Sequence, residues 1–343
     1  MLTLNIVIVK ERCFMESFYL FSSGELKRKD NVIRLNRADG AYKDIKIEVA
    51  RDIFLFGEVQ TNTKCLNYLS EKKIPVHFFN YYGFYTGTFY PREKNVSGTL
   101  LIKQVLIYEQ AKRRLGLAQK FVSGATYNCL RNLKYYLRRD RKLTAEINQI
   151  ETLKKIIPRT ESVTELMGIE GDIHRIYYGA WQKIFNKDVD FDKRVRRPPN
   201  NMVNALISFL NMMAYSVCLS EIYVSQLNPT ISYLHTSMER RFSLCLDISE
   251  IFKPLLVDRI IFSLINRNVI KETDFETGSN YCYMKSSAMK KVTQAFDEYL
   301  QKTVTHRSLG RKVSYRRMIR LECYKLIKDL MDEKEYVPFQ LWW

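Results

Sequence analysis

The apolar residues of this chain follow two different spacings, and the change between them falls near residues 91–98. Before this point, short runs of β-branched and aromatic residues, such as residues 18–21 and 53–56, alternate with turn residues, which predicts short strands. Beyond it, apolar residues recur at intervals of three and four, which predicts helices. The sequence therefore predicts an α+β protein, with an N-terminal β-rich domain over residues 15–95 and a larger all-α domain over residues 96–343.

The same patterns predict individual elements. Strands are expected near residues 18–21, 32–35, 45–49, 53–56, 76–79 and 83–89, and one short helix over residues 65–72. Further helices are expected near residues 99–117, 118–138, 143–156, 160–184, 201–224, 243–266, 286–304 and 312–332. Because the β domain is small and rich in short aromatic strands, we expect it to mediate dimerisation.

The charge balance points to a polyanionic partner. Lysine and arginine number 55 against 37 acidic residues, which gives a formal net charge of +18. Such a charge is informative about partners and not about the fold. Nucleic acid is the expected partner, with an affinity that falls steeply as the salt concentration rises. No P-loop or dinucleotide-binding motif is present in the sequence.

The cysteines and the apolar segments bear on the compartment. The seven cysteines are widely spaced and form no C-x-x-C pair, which indicates reduced thiols in a cytoplasmic protein.

Residues 1–14 lack a signal-peptide pattern, and we interpret them as an extension outside the domain that precedes a natural start at Met15. The apolar run over residues 203–224 contains polar residues, including Glu221, and is interpreted as a buried core helix.

A histidine followed by two acids in an apolar run is the strongest chemical signal in the sequence. Asp247 and Glu250 lie three residues apart and are expected on one face of a largely buried helix, with His235 upstream. Buried carboxylates are costly unless they are paired or bind a metal. Because no cysteine is part of this set, Mg²⁺ or Mn²⁺ is favoured over structural zinc.

A second candidate lies in the predicted helix at residues 160–184. Glu170 stands between an isoleucine and Gly171, and a glycine in a helix allows another backbone or a ligand to approach closely. The alternative interpretation is a surface glutamate on an amphipathic helix. His174, one turn later, is interpreted as a hydrogen-bonded helix histidine, with metal ligation as the alternative.

A basic loop precedes the predicted core helix. Arg196 and Arg197 come directly before Pro198 and Pro199, and either proline suits the first turn of a helix. Arginines beside a helix N-terminus form a potential phosphate site, whereas a solvated linker is the alternative.

Further basic residues are candidates for DNA contacts. Arg240 and Arg241 lie between His235 and the two acids and are expected at the rim of the same pocket. A basic face is also expected on the last long helix, formed by Arg316, Arg317 and Arg320. Together these groups would neutralise a DNA backbone over a long track.

These segments, taken in order, resemble the CRISPR-associated protein one family, the integrase that inserts new spacers. The resemblance extends over nearly the whole chain from Met15. The segments that carry it are residues 15–29, 74–79, 166–171, 196–199, 234–254, 316–324 and 336–339.

The resemblance implies an endonuclease and integrase with a Mg²⁺ or Mn²⁺ ion held by Glu170, His235 and Glu250. Asp247 is implied as an auxiliary catalytic residue. It also implies a homodimer, a small partner subunit that completes a heterohexamer, and double-stranded prespacer and repeat DNA as substrates. In the implied reaction, a prespacer 3′-hydroxyl attacks a phosphodiester at the edge of a repeat.

Two other functions stay open at this stage. One is a metal-dependent nuclease of another repair or recombination pathway. The other is a non-catalytic basic DNA-binding protein in which Glu170, Asp247 and Glu250 pair with arginines.

Overall fold

A computed structural model describes residues 15–93, 96–196, 198–237 and 242–343. The described chain forms two compact units. One contains the residues up to Tyr81 together with Tyr85–Arg92, and the other contains Tyr82–Phe84 and Glu93–Trp343. The interpretation of residues 1–14 as an extension falls outside the described residues.

The first unit is β-rich. Its elements are β1 (Glu16–Leu20), β2 (Gly24–Lys29), β3 (Val32–Asn36), β4 (Tyr42–Lys46), β5 (Ala50–Leu55), β6 (Val59–Thr61), α1 (Thr63–Lys72), β7 (Val76–Phe79) and β8 (Tyr85–Phe89). One sheet has the order β1-β5-β7-β8, with β1, β5 and β7 parallel and β8 antiparallel to β7. The other sheet has the order β4-β3-β2-β6. No strand was predicted for the polar segments that form β2 and β6.

Burial follows the position of each strand. On β3, buried Ile33 and Leu35 alternate with partly exposed residues, as expected for a strand with one face on the core. Strand β5 lies between two parallel neighbours, and Ile53, Phe54 and Leu55 are all buried. A continuous apolar run is typical of a strand that is covered on both faces.

The second unit is mostly helical. Its helices are α2 (Gly98–Glu109), α3 (Ala111–Leu137), α4 (Thr144–Ile156), α5 (Val163–Gly179), α6 (Trp181–Ile184), α7 (Met202–Tyr223), α8 (Ser243–Lys253), α9 (Arg259–Asn266), α10 (Ser286–Gln301) and α11 (Tyr315–Leu330). A π-helical turn, Pro254–Asp258, joins α8 to α9. Two short hairpins are formed by β9 (Phe275–Thr277) with β10 (Cys282–Met284) and by β11 (Thr303–Thr305) with β12 (Lys312–Ser314). The predicted α+β class, a β-rich region followed by a helical one, is confirmed.

The sequence prediction misplaced the boundary between α2 and α3. It expected a break between residues 117 and 118, whereas the break lies at Gln110, which has an extended backbone. Gly116 lies inside α3, where an isolated glycine is tolerated at a modest cost. Both hairpins were also missed, because strands of three residues leave too little alternation to detect.

Helix α7 is long and apolar enough to cross a bilayer by length and composition, but 83% of its most apolar window is buried in the protein. Its one acid near the C-terminal end, Glu221, accepts hydrogen bonds from Nε of Arg316 and Nε of Arg320, each at 2.6 Å. The prediction of a DNA-binding face from Arg316 and Arg320 is therefore wrong, because these arginines neutralise a buried carboxylate.

Candidate metal and nucleic-acid site

A cavity of about 600 Å³ lies in the helical unit. It is bounded by α5, α7 and α8, by the loop before α7, and by the segment before α8. The lining residues are Phe84, Gly171, His174, Arg175, Tyr178, Asp192, Lys193, Arg194, Arg196, Ser208, Asn211, Met212, Tyr215, His235, Leu246, Ser249, Glu250 and Lys253. Its size is typical of a ligand-binding cleft.

Two helices bring a cluster of metal-ligating groups to this cavity. Glu170 and His174 lie one turn apart on α5, and Glu250 lies on α8. One ligand atom of each residue lies within 4.8 Å of the others, which is close enough for all three to bind one ion. Carboxylate ligands suit Mg²⁺ and Mn²⁺, and imidazole ligands suit transition-metal ions.

Glu170 supports the assignment of a cation to this cluster. Among the residues that the structure describes, its buried Oε1 atom has no hydrogen-bond partner. A carboxylate oxygen in that state is costly unless a cation neutralises it. Burial and the nearby Glu250 raise the pKa of Glu170 to about 7. The residues present therefore fit a bound divalent metal.

Glu250 is held in its charged form. Burial acts to raise its pKa, but Lys253 and His174 outweigh burial and lower the pKa to about 2. The ammonium group of Lys253, one turn later on α8, donates a hydrogen bond to Oε1 of Glu250. Lys253 thus balances the charge of Glu250 when no metal does so.

His174 is placed differently from the sequence interpretation. That interpretation favoured a hydrogen-bonded helix histidine, but the ring makes no hydrogen bond to any residue within the described ranges. It lies instead beside the two carboxylates. Burial lowers the pKa of His174, which favours the neutral imidazole that binds metals.

His235 lines the same cavity and is fixed from behind by Asp247. Oδ1 of Asp247 lies 2.8 Å from Nδ1 of His235 and accepts a hydrogen bond from the backbone N–H of His235 at 3.0 Å. Oδ2 accepts the backbone N–H groups of Tyr233 at 2.7 Å and Leu234 at 3.0 Å. With both oxygens engaged, Asp247 orients His235, and Nε2 is the nitrogen left for the cavity. Burial acts to lower the pKa of His235, but Asp247 outweighs it and raises the pKa.

One wall of the cavity is basic. Arg194 is anchored by Nη1 to Oδ1 of Asn204 at 3.0 Å and by Nη2 to Oγ of Ser208 at 2.9 Å. Arg196 is exposed and lines the cavity beside Lys193. The other arginines predicted to contact DNA, Arg197, Arg240 and Arg241, lie outside the described residues.

The prediction of a proline in the first turn of the core helix is wrong. Helix α7 begins at Met202, and its N-cap is Asn201, whose side chain accepts the backbone N–H of Asn204. Pro198 and Pro199 therefore lie before the cap, because asparagine satisfies the free N–H groups of the first turn better.

Sequence reasoning did not single out Lys253 or Arg194, and it gave His174 a structural role. Lys253 follows Glu250 by three residues, and His174 follows Glu170 by four, so both pairs have the spacing of helical neighbours. That spacing had already marked His174, with metal ligation as the alternative interpretation, and applying it to Glu250 would have found Lys253. Arg194 gave no signal that distinguishes it from the other arginines of its loop.

Comparison with known proteins identifies the family. The family model described as CRISPR associated protein Cas1 matches residues 18–298. The CRISPR-associated endonuclease Cas1 of Fusobacterium nucleatum subsp. nucleatum is 51% identical over 327 residues, which cover 95% of this chain and 97% of the relative. A second relative, from Thermodesulfovibrio yellowstonii, is 49% identical and matches over 96% of this chain and 100% of its own.

Solved structures agree with this result. A CAS1 protein from Thermotoga maritima superposes with a TM-score of 0.86 at 40% identity, covering 95% of this chain and 100% of that one. A casposase bound to an integration product has the same fold, with a TM-score of 0.84 at 20% identity over 94% of this chain and 93% of its own. By family model, sequence identity and fold, the chain belongs to the Cas1 family of CRISPR-associated proteins.

Proposed function

We propose that this chain is a metal-dependent DNA endonuclease and integrase that inserts prespacer DNA into a CRISPR array. The observation that carries the proposal is a pair of carboxylates, half-buried Glu170 with one oxygen that has no partner among the described residues and buried Glu250, beside a cavity that Lys193, Arg194 and Arg196 also line. Acids that bind a cation next to bases that bind phosphate are what phosphodiester chemistry requires. The relatives named as Cas1 endonucleases support the same activity.

We assign the metal to Glu170, His235 and Glu250, with Mg²⁺ or Mn²⁺ as the ion. When bound, such an ion polarises the phosphate and lowers the pKa of the attacking group. Asp247 fixes the tautomer of His235, so that Nε2 carries the lone pair toward the cavity. Arg196 and Lys193, which line the cavity, are proposed to contact phosphate oxygens.

The reaction exchanges one phosphodiester for another. The prespacer 3′-hydroxyl loses its proton and forms a bond to a phosphorus atom at the repeat edge, while the bond from that phosphorus to the 3′-oxygen of the repeat strand breaks. The leaving oxygen takes up a proton, so that bonds and charges balance and no external energy source is required. With water as the nucleophile, the same site hydrolyses the strand.

Membership of the Cas1 family supports a proposal for the partners. Double-stranded prespacer and repeat DNA are the proposed substrates, and a small partner subunit is proposed to complete a heterohexamer with Cas1 homodimers in the cytoplasm. A neighbour described as a Cas6-RT-Cas1–Cas2 complex shares the fold, with a TM-score of 0.82 at 19% identity, although this chain covers only 36% of it.

The test uses strand transfer and cleavage by Glu170→Ala, His235→Ala and Glu250→Ala in Mn²⁺, with DNA binding measured in parallel. Each variant should lose nearly all activity while keeping its DNA affinity, because the ligands act as a unit and the basic surface supplies most of the binding. A variant with near-wild-type activity would exclude that residue from the metal site. Loss of DNA binding in all three would favour the non-catalytic alternative.

A further inference from the structure

Helix α5 presents two potential metal ligands from one face. Glu170 and His174 are four residues apart, the spacing at which side chains on a helix meet and at which paired ligands bind one ion. Their ligand atoms and that of Glu250 lie within 4.8 Å of one another. His174 and Glu250 also line the cavity.

The other contacts of His174 do not occupy its ring nitrogens. The ring packs against Tyr178 with 6.0 Å between centroids, and it makes no hydrogen bond to another part of the described chain. Oε1 of Glu170, in the same cluster, also has no hydrogen-bond partner there. The His174 ring and Oε1 of Glu170 are thus two neighbouring polar groups without hydrogen-bond partners among the described residues, and a shared cation explains them.

We propose that His174 is a direct ligand of the metal, so that α5 contributes a Glu170–His174 pair and α8 contributes Glu250. This inference rests on the proposed function, because it adds a ligand to the same site. An additional imidazole favours Mn²⁺ over Mg²⁺, since Mg²⁺ prefers oxygen ligands and dehydrates reluctantly. His174 is therefore expected to influence which ion the enzyme prefers.

The experiment measures Mn²⁺ binding to the full chain without DNA, by electron paramagnetic resonance of free Mn²⁺ during a titration. His174→Ala and His174→Gln should each weaken Mn²⁺ binding at least about tenfold, the lower end of the loss seen when outer-shell partners of metal ligands are removed. Mg²⁺, measured by competition, should be affected less. Pulsed measurements on bound Mn²⁺ should show a weaker nitrogen coupling in both variants.

His306→Ala is the matched control, because it removes another imidazole of the same unit that does not line the cavity. Its Mn²⁺ affinity and nitrogen coupling should equal those of the wild type. Unfolding temperatures in EDTA verify that each variant folds. If His174→Ala does not fold, His174→Gln decides, because it retains a polar side chain of similar size.

Glu170→Gln and Glu250→Gln separate the two hypotheses. If they lose Mn²⁺ while both His174 variants bind it with the wild-type affinity and nitrogen coupling, the role of His174 is refuted and the proposed metal site stands. If the two glutamine variants bind Mn²⁺ as the wild type does, the metal site itself is wrong, and the proposed function fails with it.

Discussion

The carboxylate of Asp247 contacts both the backbone and the ring of His235. Its Oδ1 atom lies 3.0 Å from the backbone nitrogen of His235 and 2.8 Å from Nδ1. The carboxylate is fully buried, so the ring is held against a group that solvent does not screen. This arrangement distinguishes the two acids of α8, in agreement with the resemblance, which implied Glu250 as a ligand and Asp247 as an auxiliary residue. Glu250 lines the cavity, where we propose that it binds the metal, and Asp247 orients the histidine.

Asp247→Asn should therefore weaken catalysis through His235. The amide keeps the size of the side chain but removes its charge, so the imidazole is a poorer and less well-oriented ligand. We expect Mn²⁺ affinity and strand transfer to fall by about 10- to 100-fold. Asp192→Asn, which removes an acid from the exposed loop lining the same cavity, serves as the control. Equal effects of the two substitutions would contradict an orienting role.

Substitution of Gly171 tests whether DNA approaches α5 closely at this residue. A Cβ atom at Gly171 meets nothing within 4 Å, and the same is true of Gly168 on the same helix. Each Gly→Ala change should stabilise α5, by about 0.5–1 kcal/mol. Gly171 lines the cavity and Gly168 does not. Gly171→Ala alone should therefore reduce strand transfer, and equal activity of both variants would place the DNA away from this edge.

Arg196 is expected to contact a phosphate. Arg196→Ala should weaken binding similarly for different DNA sequences and reduce the slope of log affinity against log salt by about one unit. Arg311→Ala removes an exposed arginine that does not line the cavity and should leave the slope unchanged. Measurement of binding by fluorescence anisotropy at several salt concentrations gives both slopes. An unchanged slope for Arg196→Ala would remove this residue from the DNA path.

Asp258 makes stability depend on pH. It is buried, its Oδ2 accepts the Tyr177 hydroxyl at 2.8 Å, and burial raises its pKa to about 8. Because the folded protein retains this proton more strongly than the unfolded chain, the stabilisation is complete below the unfolded pKa and is lost as the pH rises toward 8.

The Asp258→Asn variant should lack the pH dependence of stability that Asp258 causes. Its free energy of unfolding, relative to that of the wild type, should increase between pH 5 and pH 8 by up to about 1.4 kcal/mol per unit. Urea unfolding in EDTA at several pH values measures the difference without metal at the nearby site. A difference that stays constant with pH would show that Asp258 is charged in the folded protein throughout this range.

Much of this arrangement could be predicted from the sequence, and the exceptions have physical causes. The change from strand to helix periodicity and the pair Asp247–Glu250 depend on local spacing, which a sequence displays directly. The placement of Arg316 and Arg320 depends on their ion pairs with Glu221. This residue lies 95 residues before Arg316, and no local sequence pattern shows such a pairing. The spacing from Glu170 marked His174 as a possible ligand, but its approach to Glu250, on which the proposed role depends, is a contact between α5 and α8 that no local pattern shows.

The ion pairs of Glu221 also have a consequence for how the protein is made. The last turn of α7 receives its two guanidinium partners only after a further 95 to 99 residues have been synthesised. At about 5–20 residues per second, a nascent chain therefore carries an apolar helix whose acid lacks these two partners for several seconds or longer. Ribosome stalling or premature termination before α11 would leave that charge without either arginine, in a segment that cannot bury it favourably. Incomplete chains should accordingly be captured by chaperones or degraded, so that only full-length copies accumulate.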